Sequence, residues 1–206
     1  MLRRPRRCTL IAGILPLVLA LPASPADDEP HVCLLTPHGG DQSGQGPVRA
    51  RVPLARPTIF AADPLAEIVL EQDGRVLWRR EAPLLEPLQG PQPWPLPPLR
   101  PGERMLLRLR PAGTPRGSFA TVQLEAAGSP ELVRNTALLQ GLGQDGGRWQ
   151  QAVQRAMEQR DGALVTALLF AGEGPSAPAL DELRRAAFQQ GCGSVGSDNL
   201  EAAPAP

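Results

Sequence analysis

The sequence predicts an α+β fold, with a small immunoglobulin-like or fibronectin-like β-sandwich followed by a helical C-terminal region. Three observations predict it. Residues 47–127 carry strand signals, with alternation of period two at Val48–Val52 and Met105–Arg110, and apolar residues recur with a helical period from Ser129 onward. Eight of the 25 prolines crowd between Pro83 and Pro101, which suits strand edges and crossovers rather than a long helical bundle. Aromatic residues are scarce (three Trp, four Phe and no Tyr), so the core is built mainly from Leu, Val and Ala.

Residues 1–26 read as a signal peptide. Arg3, Arg4, Arg6 and Arg7 precede a charge-free apolar run from Thr9 to Leu21, and small residues follow at Ala23, Ser24 and Ala26. A run of 13 residues is too short to cross a bilayer as a lasting helix. Cleavage is expected after Ala26, with Ala23 as the rival position. No later stretch is apolar enough to span a membrane, so the expected location is periplasmic or secreted. The absence of Lys and Tyr beside abundant Ala, Gly, Pro and Arg suggests a GC-rich bacterial genome.

Removing that start changes the charge. The whole chain balances 21 Arg against 21 acids, and the lead takes four Arg and no acid, leaving 17 against 21, or −4. This argues against a nucleic-acid binder, which normally carries a basic stripe.

Residues 27–46 are polar and Gly-rich, a flexible leader in which only Val32 to Leu35 can pack. Residues 47–127 are the expected sandwich. Val48, Ala50 and Val52 alternate with Arg49 and Arg51. Glu67–Glu71 and Val76–Arg79 flank Asp73-Gly74, which marks a tight hairpin. Met105, Leu107 and Leu109 alternate with Leu106, Arg108 and Arg110, and Phe119 to Leu124 supplies another strand. The Pro-rich stretch between them is an edge or an extended crossover.

Residues 128–192 are the expected helical region. Ser129-Pro130-Glu131 reads as a capped start with Pro at the first helical position. Trp149, Ala152, Val153, Ala156 and Met157 form one apolar face. Asp161-Gly162 breaks that helix, and Ala163 to Ala171 is apolar enough for a buried one. Leu180, Leu183, Ala187 and Phe188 share a face of a last helix, which starts near Ser176 and stops at Gly191. Residues 193–206 read as a disordered tail.

Two cysteines remain after export, Cys33 and Cys192. In an oxidising compartment they are expected to pair. Closing a loop of about 160 residues restricts the unfolded chain by about 5 kcal/mol in the entropic account.

The residues that carry chemistry are few. His31, Cys33 and His38 are ligand types, but a fourth ligand is missing and pairing Cys33 removes its thiolate, so neither a metal nor a cofactor is expected. Ser118 lies outside a nucleophile elbow. Glu67 and Glu71 share a strand face, with Trp78 across the hairpin. Two acids beside a stacking ring suit carbohydrate binding or hydrolysis, although Arg79 and Arg80 offer a plain neutralising role. Trp94, inside Pro91-Gln-Pro-Trp94-Pro, is either a ligand for an aromatic groove or a lid on the sandwich, and the lid is preferred.

Leu96 to Gly102 feeds a strand with an "LP.L..G"-like ending, and Ala137 to Val153 contains the Trp149-initiated helix. On these residues the chain resembles an uncharacterised family of exported cyanobacterial proteins. The resemblance implies the sandwich-plus-helices fold and export, and no biochemical role. With no assembled catalytic set, the expected function is a non-catalytic interaction or accessory protein with a periplasmic or cell-envelope partner. Carbohydrate binding or hydrolysis is the alternative.

Overall fold

The computed structural model describes residues 30–38 and 48–193. The expected signal peptide, the leader outside residues 30–38 and the tail beyond Gly193 lie outside the described residues. Among the described residues the fold is mixed α+β, with seven strands in two sheets followed by four helices.

The strands are β1 (Leu34–Thr36), β2 (Val48–Val52), β3 (Phe60–Ala61), β4 (Leu65–Gln72), β5 (Arg75–Glu81), β6 (Arg104–Pro111) and β7 (Ala120–Ala126). The larger sheet is ordered β2-β7-β6-β4-β5, and β1 pairs antiparallel with β3 in the smaller one. The β4–β5 hairpin turns on Asp73 and Gly74, whose φ angles of 50° and 74° are those a two-residue turn requires. β6 runs antiparallel to both β4 and β7. β2 runs parallel to β7, from Val48 opposite Val122 to Val52 opposite Ala126, and a parallel partner demands a long crossover. Here β3 to β6 provide it.

Alternation gives the larger sheet one apolar face. Ala50, Val52, Ile68, Leu70, Leu107 and Leu124 are buried there. The Pro-rich segment covers that face, laying Leu88, Trp94 and Leu99 onto it. It touches the strands through isolated bridges at Ile59–Gln92 and Leu65–Leu88. A chain with so few N–H groups cannot extend a ladder, but it can serve as a cover. Trp94 is 7% exposed, and its Nε1 donates to the Pro97 carbonyl at 3.0 Å, so the ring acts as a lid with its polar atom satisfied.

The helices are α1 (Ser129–Leu142), α2 (Gly146–Glu158), α3 (Gly162–Leu169) and α4 (Pro178–Cys192). The start of α1 differs from expectation. Gly128 is its N-cap, without a side-chain bond, and Ser129 already lies in the first turn beside Pro130. The side-chain caps occur later. Asp145 accepts from the Gly147 and Arg148 amides, and Asp161 accepts from Leu164. α4 runs through Gly191 to Cys192 and ends at Gly193, whose φ of 63° suits a helix-stopping glycine.

A second core gathers Trp149, Ala152, Val153, Leu168, Leu180 and Phe188 from α2, α3 and α4. Leu35 and Phe60 join it, while Leu34 and Ala61 pack with the sheet core. Successive residues of a strand point to opposite faces, so the small β1–β3 sheet belongs to both cores. Two polar links add to this seam. Asn135 donates from its buried amide to the Pro53 carbonyl at 3.0 Å, and Arg51 pairs with both Glu131 and Asp161.

Candidate functional site

Cys33 and Cys192 form a disulfide, with Cα atoms 5.6 Å apart across a sequence separation of 159. The bond fastens the residue before β1 to the last residue of α4. It is compatible with an exported protein.

The carbohydrate constellation does not come together, and a single residue is the reason. With Gln72 opposite Arg75 and Glu71 opposite Val76, a regular hairpin would set Val69 opposite Trp78 and give the ring the same face as Glu67 and Glu71. Instead the register shifts after Glu71, and Leu70 stands opposite Trp78. Leu77 is the extra residue of a β-bulge, and a one-residue slip exchanges the two faces of a strand. Trp78 therefore packs, half-buried, against the sheet core, whereas Glu67 and Glu71 lie on the other face.

On that other face the arginines occupy the carboxylates. Glu67 takes Arg110 at 3.0 Å and Arg79 at 3.2 Å, and Glu71 takes Arg108 at 2.9 Å. Arg108 also stacks on Phe119, with its guanidinium 4.4 Å from the ring centroid. Beneath this grid Val69 is buried, although it points away from both apolar cores. It lies between Glu67 and Glu71 on the face where the arginine–carboxylate pairs form. This arrangement neutralises and covers the sheet.

Two features escaped the sequence reading. One is a groove of about 1080 Å³ between the sheet edge and the helices. Val48 and Val122 line it from the sheet, Val165 and Ala187 from the helices, and Leu34 from the strand between. Met157, expected in the buried stripe of α2, is instead 52% exposed and faces this groove. His31, His38, Arg160 and Asp161 supply its ionisable lining. No local pattern announces a groove built from six separate elements and loops. The Asp161-Gly162 break did mark where α2 ends, and so where Arg160 would project.

The second feature is convex. Leu84 and Leu85 are 103% and 94% exposed on a turn closed by the Glu86 amide donating to the Pro83 carbonyl. Val76 and Leu77, near the other end of β5, are close to half exposed. The dipeptide Leu-Leu between Pro83 and Pro87 has no period to assign it a face, so its exposure was not legible.

Among the described residues, no three His, Cys, Asp or Glu side chains come together to hold a metal. No helix among them is long and apolar enough to cross a membrane. Comparison with family models, with curated proteins and with solved structures finds no match for this chain.

Proposed function

We propose that the chain is an exported, non-catalytic interaction or accessory protein of the periplasm, acting on a protein of that compartment or of the cell envelope. The apolar edge around β5 carries this reading. Leu84 and Leu85 stand in water on a turn framed by prolines, where burial would be worth about 1.5–3 kcal/mol for each side chain. Two adjacent leucines held in water just past an edge strand offer apolar surface for another protein to cover. Because the turn is convex, the partner presents an apolar slot to it.

Other features support the compartment and the scaffold. A disulfide suits an oxidising space, and the cationic, apolar and small-residue order of residues 1–26 suits an export signal. The antiparallel run β7-β6-β4-β5 with a second, smaller sheet supports an immunoglobulin-like or fibronectin-like scaffold. The likeness to exported cyanobacterial proteins belongs to the same proposal.

The test is cross-linked co-purification from the native host, comparing wild type with Leu84→Asp/Leu85→Asp. Neither leucine is buried, so circular dichroism should not change. The wild type is expected to retain a discrete partner, and the variant to lose it by about tenfold or more. Equal recovery by both proteins, or no partner for the wild type, would sink the reading.

A further inference from the structure

We propose that the groove between the sheet edge and the helices binds a free, single-chain amphipathic carboxylate, with its tail between the two cores and its head on Arg160. The walls supply the first half of the argument. Leu34, Val48, Val122, Val165 and Ala187 offer apolar surface on several sides of a volume of about 1080 Å³, ample for a small-molecule ligand.

Charge supplies the second half. Of the two formally charged residues in the lining, Asp161 is already engaged: its carboxylate caps α3 through the Leu164 amide at 3.1 Å and lies 3.6 Å from Arg51. The Arg160 guanidinium makes no ion pair, hydrogen bond or ring contact among the described residues. Among the described residues the groove thus presents one arginine with no carboxylate partner, beside apolar walls. A guanidinium grips a carboxylate through two parallel hydrogen bonds, so one arginine is enough for a singly charged head. A phosphate monoester, with close to two charges, would call for a second cation.

The backbone adds an independent sign. Arg160 has a φ of 57°, the left-handed conformation that ends a helix and is normally taken by Gly or Asn. An arginine held there is strained, and strain of this kind collects at functional positions. The groove and the Leu84–Leu85 edge involve different residues, so this proposal stands apart from the partner surface.

Calorimetric titration of the purified, disulfide-bonded chain with decanoate, decanol and decylammonium tests it. Decanoate is expected to bind saturably at one site, and decylammonium about tenfold or more weakly. Arg160→Gln should weaken decanoate by about tenfold or more, as expected for loss of charged hydrogen bonds. Arg160→Lys should restore part of that affinity, and decanol should bind both variants like the wild type. Leu84→Asp/Leu85→Asp should leave decanoate affinity unchanged, which separates this site from the partner surface. An absence of saturable decanoate binding, equal affinity for decylammonium, or an unaltered Arg160→Gln variant would each overturn the proposal.

Discussion

Trp94 and Trp149 are each buried, and each satisfies its ring nitrogen with a carbonyl nearby in sequence, Pro97 at 3.0 Å and Gly143 at 2.8 Å. Their surroundings differ. Trp149 sits on a helix whose buried residues recur with the helical period, against Leu168, Leu180 and Phe188 from two other helices. Trp94 sits on a proline strap lying across a sheet and joined to the strands by isolated bridges. The first core is built mainly from helix faces, with Leu35 and Phe60 of the small sheet joining it. The second is regular on one side and closed by a segment with little hydrogen bonding of its own. The same task, burying one large ring among small aliphatic side chains, is accomplished by two unlike means.

The sharpest way to break this comparison is to truncate both rings. Trp149→Ala should cost about 3–5 kcal/mol, since three packed helices cannot close the cavity. Trp94→Ala should fall at the low end of that range, because a strap can settle onto the sheet. Urea titration followed by far-ultraviolet circular dichroism measures both, and an equal or larger loss for Trp94→Ala would contradict the distinction.

A smaller effect is expected from Cys33→Ser/Cys192→Ser, about 2–4 kcal/mol. The bond ends on α4, so amide exchange should rise first in that helix and in β1, and last in β4 and β6. Uniform exchange across both cores would show that the clasp serves the whole molecule equally.

The smallest effect has the opposite sign. Arg160→Gly should stabilise the chain by about 0.5–1 kcal/mol, because glycine adopts the left-handed conformation without strain. A fall in stability would mean that the arginine side chain contributes to the fold.

Local patterns were legible in the sequence and non-local ones were not. Asp73-Gly74 announced the β4–β5 hairpin because a two-residue turn is specified by its own residues. The stripe from Trp149 to Ala156 announced α2 for the same kind of reason. Met157 fits that stripe by spacing, yet it is exposed, since its burial depends on what stands opposite. The Glu67, Glu71 and Trp78 grouping failed on a bulge at Leu77 that alternation alone does not reveal. The parallel pairing of β2 with β7 and the groove beside it join residues far apart in sequence, where no periodicity operates. Cys33 and Cys192 were the exception, a distant contact readable because the third cysteine, Cys8, falls in the stretch that reads as a signal peptide.

A ribosome delivers Cys33 long before Cys192. Until residue 192 is made, the strand after Cys33 has neither its clasp nor the last helix to lie against. In order of synthesis the clasp between residues 33 and 192 is thus among the last contacts the chain can complete, because Cys33 has no Cys192 to pair with until then.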